Sequence, residues 1–271
     1  MKGLRTIRII LSVVFFTAAV AYLALALTAN PLAKAAARVQ IVPSMLATTM
    51  GMTIVWIVIS FLLGRVYCST VCPIGTLQDI FIRLGRVVPR FRRPGHYRPA
   101  SRVRWHVLAI YVICLILGVS AINYWIEPWN MMRNICSLAN DEAVGPTWTT
   151  LGIGSAAGMA SGVISLLILA VCALFTGRGF CTAICPIGTA LGSFNSFTLY
   201  HIEIDPDMCI SCMKCEDVCK SHCVKVVGRY VDNSRCVRCF DCLAVCPNDA
   251  IRLQANRNRP ATPLLRKRIK T

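Results

Sequence analysis

From Cys209 to Cys246 the chain carries nine cysteines, eight of them at a spacing that suits iron–sulfur chemistry. They run Cys209-x2-Cys212-x2-Cys215-x3-Cys219 and then Cys236-x2-Cys239-x2-Cys242-x3-Cys246-Pro247. Three thiolates on one tight loop can wrap three irons of a single cube, while the fourth starts a helix that leads away. Zinc sites built from CxxC pairs and disulfides are the rival uses of cysteine, but neither accounts for the same four-cysteine run occurring twice. A second pattern sits upstream: Cys68-x3-Cys72-Pro73 and Cys181-x3-Cys185-Pro186. Cysteines four apart share one helical face, so each pair should point one way, and two facing pairs would bring four thiols together. Four converging thiolates suit an all-cysteine metal or iron–sulfur site. The other reading is two separate pairs, reduced or disulfide-forming, that only terminate the preceding apolar segments.

The double run resembles that of bacterial two-cluster ferredoxins, in which the fourth cysteine of each run serves the other cube. The resemblance implies one [4Fe–4S] cluster on Cys209, Cys212, Cys215 and Cys246, and a second on Cys236, Cys239, Cys242 and Cys219. Two positions depart from the pattern. Lys220 stands where proline is usual, and Cys223 is a spare thiol four residues after Cys219. Cys223 could replace Cys219 as ligand or fill space as a small buried hydrophobe; the second is the expectation.

The elements that position these cysteines are read from hydropathy. The chain has 271 residues, 56% hydrophobic, with a formal net charge of +17, and its mean hydropathy of +0.60 exceeds that of an ordinary soluble protein. Its basic residues flank apolar runs, which is how membrane topology is written, and this sets nucleic-acid binding aside. Apolar runs cover residues 9–29, about 46–63, about 105–126 and about 155–175, the first long enough to cross roughly 30 Å of hydrocarbon. A cleaved signal peptide is the rival for the first run, although signal cores are shorter, about 7–15 residues. The cysteine-rich end should face a reducing compartment, since its ligands must stay thiolates.

The second and fourth runs end alike. Gly-Arg-x-aromatic-Cys-x3-Cys-Pro-Ile-Gly-Thr occurs at Gly64–Thr76 and again at Gly177–Thr189, 113 residues on. The expected fold is therefore an all-α membrane bundle of four transmembrane helices, formed as two repeated hairpins, plus a C-terminal ferredoxin-like α+β domain. Residues 1–200 would form the bundle, 201–254 the double-cluster domain and 255–271 a basic tail. From Arg65 to Arg104 there are nine arginines and one acid, Asp79, whereas residues 127–154 hold three acids and a single basic residue, Arg133. This asymmetry places both termini and the iron–sulfur domain in the cytoplasm, with 127–154 outside. Lys34 and Arg38, in the first outer connection, run against it.

Other cofactors find no support: no CxxCH for covalent haem, no histidine pair at matching depth among His96, His106, His201 and His222, and no GxGxxG after a strand. With these motifs in hand, the chain resembles the NapH-type polytopic membrane ferredoxins, whose relatives include MauN and the membrane half of NosR. The resemblance runs from the first span to Ile251. It implies a quinol dehydrogenase subunit of a bacterial inner membrane, passing electrons between the quinone pool and a redox protein partner. NosR-like members carry a flavin domain and CcoG-type members a further C-terminal domain, and 271 residues leave room for neither. The alternative is an assembly or maturation factor that reduces a metal or thiol of another enzyme; a membrane anchor with structural clusters is a third reading. A quinone site could lie outside, at Asn123, Tyr124, Glu127 and Arg133 beside Trp125 and Trp129. It could also lie inside, near Arg65, Gln78, Asp79 and Arg178, and the inner position is the expectation. Cys114 and Cys172 read as packing residues, and Cys136 stays undecided. A reporter active only outside the cytoplasm, fused after Thr271, should be silent; activity would invert the topology.

Overall fold

The apolar runs are helical wherever they are seen. A computed structural model describes residues 2–24, 35, 39–40, 50–88, 96–117, 125–138, 155–195 and 198–255. The first half contains α1 (Lys2–Ala24), α2 (Met50–Leu63), a single helical turn α3 (Tyr67–Thr70) and an amphipathic helix α4 (Pro73–Val87). The second half contains α5 (Val103–Ile116), α6 (Pro128–Cys136), α7 (Ser155–Thr176), a π-helical turn at Phe180–Ile184 and α8 (Pro186–Phe194). The C-terminal unit follows as β1 (Tyr200–Ile204), α9 (Lys214–Asp217), β2 (Val224–Lys225), β3 (Tyr230–Val231), α10 (Asp241–Val245) and β4 (Ile251–Ala255).

Among the described residues, Gly3–Ala24 is the one helix long and apolar enough to cross a bilayer by itself. Gly51–Leu63, Val103–Ile116 and Ala160–Thr176 are apolar but shorter. Parts of the first three expected spans, residues 25–29, 46–49 and 118–124, lie outside the described residues. All four helices turn large apolar side chains outward: Ile7, Val14, Ile54, Val58, Ile113, Ile116, Leu167 and Val171 are each at least half exposed, and α5 buries none of its residues. Faces of this kind suit lipid rather than water.

The two repeats pack reciprocally. The helix after the first motif, α4, lies against α1 of its own half and α7 of the other, while α8 lies against α5 of its own half and α2 of the other. Helix α6 differs from the expected outer connection. It packs on α4 and α7, and its Trp129, Met131, Met132 and Cys136 share one core with Cys68, Cys72, Cys181 and Cys185. Its apolar stripe is only nine residues long and interrupted by Asn130, Arg133 and Asn134, too short for a periodicity argument to register.

The C-terminal unit has two small antiparallel sheets, β1 with β4, from Tyr200↔Ala255 to Ile204↔Ile251, and β2 with β3. It docks through buried charge. Asp79 on α4 receives Arg8 from α1, Arg178 from the second motif at 2.8 Å and Lys220 at 3.0 Å. Lys220 also reaches Asp241 at 2.8 Å, and Arg5 reaches the same carboxylate at 2.9 Å. The residue that departs from the ferredoxin pattern is thus among those that hold the domain to the helices. Burial alone would raise the Asp79 carboxyl, but Arg178, Lys220 and Arg8 together hold it well below the usual carboxylate range. A depressed carboxyl stabilises the fold above its unfolded pKa and stops doing so as pH falls through the folded one. Acid should therefore loosen this docking only below about 3.9, the ordinary aspartate value. Removing one partner of a buried pair costs about 3–5 kcal/mol. Asp79→Asn and Lys220→Met should each lower the melting temperature and open the 195–200 linker to limited protease, and unchanged digestion would show that the docking does not depend on these charges.

Candidate metal centre

The two CxxxCP segments fold alike, and not as single helices. In each, the N–H of the second cysteine bonds to a carbonyl five residues back: Cys72 to Tyr67 at 3.1 Å and Cys185 to Phe180 at 2.9 Å. Proline forbids the helical conformation for the residue before it, so Cys72 and Cys185 turn extended, with ψ near 118° and 120°, and become the N-caps of α4 and α8. Cys185 Sγ accepts the Gly188 N–H at 3.3 Å, and the Gly75 N–H serves Cys72 in the same way. A thiolate at a helix N-terminus is favoured there. Glycine is required at both positions, because a Cβ on Gly75 or Gly188 would overlap the carbonyl of Cys68 or Cys181. The expectation that each pair shares one face of a helix is thus corrected: one cysteine of each pair lies in the helical turn and the other caps the next helix.

The halves also exchange arginines. Arg65 of the first motif donates to the Cys181 carbonyl at 2.6 Å, and Arg178 of the second donates to the Cys68 carbonyl at 2.8 Å. The exchange brings all four thiols together, each no more than 5% exposed. Burial, with Cys181, Cys68 and Cys72 beside it, pushes the Cys185 thiol well up. Cys181 Sγ donates to Gln78 Oε1 at 2.9 Å.

The ferredoxin-type runs form two further groups. Cys209, Cys212, Cys215 and Cys246 line one cavity, and Cys219, Cys236, Cys239 and Cys242 line another together with Cys223. The grouping matches the interleaved sets that the ferredoxin resemblance implies. Each loop bends through left-handed residues that are not glycine, Ser211 and Met213 in the first, Arg238 and Phe240 in the second. Such turns aim successive N–H groups into a concavity that receives anions and iron–sulfur groups. Burial, then Cys246, Cys209 and Cys212, pushes the Cys215 thiol up to about 12. Thiols that resist ionising together are relieved by a cationic metal core. Among the described residues, no three His, Cys, Asp or Glu side chains are drawn in to the spacing of one bound ion; the thiolates of a cube stand wider apart than that.

Buried cations fit the same chemistry. Arg65 and Arg238 are 1% and 0% exposed; Arg65 Nε and both Nε and Nη1 of Arg238 have no protein partner. A buried, uncompensated guanidinium is costly, and a thiolate-ligated iron–sulfur group carries the negative charge that would offset it. Cys223 is more than filler: its Sγ stands 3.5 Å from Cys219 Sγ, and its N–H donates to that sulfur at 3.4 Å.

The expected inner quinone residues do come together, but in a closed core. Arg65, Gln78, Asp79 and Arg178 are at most 5% exposed and packed on protein partners. Of the outer set, Asn123 and Tyr124 lie outside the described residues. Glu127 is buried, its Oε2 accepting from Asn130 and its Oε1 without a partner. Burial pushes its carboxyl up to about 8 against the Trp129 N–H and Arg133. Cys136 is a core residue, and Cys114 and Cys172 are partly exposed on the apolar helices.

A family model described as a 4Fe-4S binding domain matches residues 46–92 and 159–198. It covers the two CxxxCP halves, not the ferredoxin-type runs. YccM of Escherichia coli, whose name refers to electron transport, is 27% identical over 66% of this chain and 48% of its own length. The ferredoxin-type protein NapH of Escherichia coli is 28% identical over 65% of this chain and 54% of its own. The methylamine utilization ferredoxin-type protein MauN of Paracoccus denitrificans is 26% identical over 58% and 48%. The chain spans about half the length of these relatives, and no solved structure matches it. Two substitutions separate the roles of neighbouring thiols. Cys239→Ser should cost about four irons per chain and one cluster signal in EPR. Cys223→Ala should keep the iron and lower that cluster's potential, because hydrogen bonds to the sulfurs raise it; iron loss in Cys223→Ala would make Cys223 the ligand.

Proposed function

We propose that this chain, which belongs to the NapH-type family of ferredoxin-type proteins and has an iron–sulfur electron-transfer role, moves electrons between the membrane quinone pool and a redox protein partner. In this reading it is the quinol-oxidising subunit of a bacterial inner-membrane system, with four spans and a cytoplasmic cluster domain. Cys209, Cys212, Cys215 and Cys246 would hold one [4Fe–4S] cluster and Cys236, Cys239, Cys242 and Cys219 a second. Cys68, Cys72, Cys181 and Cys185 would hold a further all-cysteine iron–sulfur centre. Bound there, these groups supply one-electron chemistry; the chain supplies their spacing, charge and burial.

One observation carries the reading: each of the three cysteine groups adjoins the next. Ser69, between Cys68 and Cys72, donates to the carbonyl of Arg238, between Cys236 and Cys239, at 3.4 Å. Arg178 interacts electrostatically with both Cys181 and Cys239. Further along, Cys215 stands close enough to add to the burial and neighbouring thiols that push the Cys242 thiol well up. Exposure rises in the same direction, from the closed CxxxCP group to Cys212 at the surface. A buried start among lipid-facing helices and an exposed end on a polar domain suit transfer between a membrane-borne carrier and a soluble or membrane-bound partner. An assembly factor would need no such graded series.

In proteoliposomes, a short-chain quinol should reduce the clusters of the anaerobically purified protein, followed by EPR. Failure in the fully loaded protein would remove the quinol reading. Iron should approach about twelve per chain with three cubes and about eight with two. Serine at Cys68, Cys72, Cys181 or Cys185 should each slow reduction, and a double change across the halves should add little; full rates in all four single variants would leave those cysteines a structural role.

A further inference from the structure

Two clefts open beside the C-terminal end of α7, of about 310 and 320 Å³, both within the lower range for small-molecule sites. Arg98 and His222 belong to both. They differ in what lies behind them. Among the described residues, the first alone has a cysteine of the ferredoxin-type runs, Cys219, in its wall. The rest of that wall joins two environments. Ile82, Leu174 and Phe175 come from α4 and α7, elements whose outward faces are apolar, with Leu84 61% and Val87 77% exposed nearby. The polar part comes from Arg86, which reaches from α4 to the C-terminal unit through the Val218 carbonyl, and from His222 of that unit.

His222 is held in an unusual way. Its backbone is left-handed, at φ 51°, a conformation uncommon outside glycine and retained where surroundings impose it. Its Nδ1 lies 3.0 Å from the His96 carbonyl. A carbonyl only accepts, so Nδ1 carries the hydrogen and Nε2 is left as an acceptor. Gly177 keeps the space next to it open: a side chain there would meet His222 Nε2 at 3.4 Å and overlap the Lys220 carbonyl. Arg86 spends one N–H on the Val218 carbonyl at 3.3 Å and is exposed.

We propose that this first cleft binds the head group of a quinol, its ring against Ile82, Leu174 and Phe175, one hydroxyl donating to His222 Nε2 and the opposite oxygen accepting from Arg86. The proposal rests on the quinone reading above and moves the site out of the closed Asp79 core to a cavity that has the volume, the apolar wall and a cluster-run cysteine beside it. A flat ring with oxygens at opposite ends needs an apolar slot with one acceptor and one donor, and this cleft presents both. A phospholipid head would instead call for several cations around a phosphate. Here Lys220 is committed to Asp79 and Asp241, which leaves Arg86 and Arg98 as the cations of the wall, and Asp217 sets a negative charge among them.

The test uses the full chain, anaerobically loaded with iron, in nanodiscs, labelled with a photoreactive azido-quinone of short alkyl tail and mapped by mass spectrometry. Label should fall on peptides covering residues 82–88 and 172–177 and be competed by decylubiquinol. His222→Asn, chosen because asparagine tolerates the left-handed backbone, and Arg86→Gln should each weaken that competition about tenfold. Iron content and EPR spectra should stay at wild-type values in both variants. Label concentrated at residues 125–134, or wild-type competition in both variants, overturns the placement and leaves the quinone reading standing. Displacement by anionic phospholipid but not by the quinol makes the cleft a lipid site and also overturns it. No competable label anywhere overturns the placement and the quinone reading together.

Discussion

The buried carboxylate of Asp79 is the constraint on which the other parts depend. It collects one cation from the first helix, one from the second CxxxCP motif and one from the cluster domain, so three segments far apart in sequence share a single anion. Charges are buried at a cost that is recovered only when every partner is in place. The network therefore acts as a register mark: a cluster domain docked one turn away would leave cations without a counter-charge in a dry interface. Lys220 can serve it because the position after the first run is not proline.

The repeat is close to symmetric in backbone and deliberately unequal in charge. Arg65 and Arg178 occupy matching places and cap each other's motif. Arg178 has Asp79 opposite it, whereas the position equivalent to Asp79 in the second half is Gly192, lying against the Arg65 side chain. The absent side chain leaves room for the cluster domain, since a Cβ on Gly192 would press on the Ser234 carbonyl. One half thus supplies the charge that holds the domain and the other supplies the space that admits it, while Arg65 keeps its charge for the cysteines around it.

What could be read from the chain alone follows the range of each interaction. The three cysteines of each loop are legible because spacing within a loop is itself the geometry, the exchange of the fourth rests on the resemblance to two-cluster ferredoxins, and the repeat is legible because it recurs letter by letter. The role of Lys220 was not, since its partner Asp79 lies 141 residues away and nothing local marks the pair. The extended state of Cys72 and Cys185 was written in the prolines that follow them, but a helical-face rule took precedence over the pre-proline restriction. The left-handed turns at Ser211, Met213, Arg238 and Phe240 fall on residues with no preference for them, so only the folded loop reveals them. Arg65, Gln78, Asp79 and Arg178 stand together but close on protein partners up to 116 positions away, and nothing local in the sequence marks that closure.

The burial of Cys219, Cys236, Cys239 and Cys242, each under a tenth exposed and set against the motif loops of the helical part, has a consequence for biogenesis. Iron and sulfide delivered to the finished molecule would reach that group only through the cleft that Cys219 lines, whereas Cys209, Cys212 and Cys246 stay reachable. A cube held by that group would be installed most readily while the C-terminal unit is still apart from the helices, before the Lys220 and Asp79 pair closes.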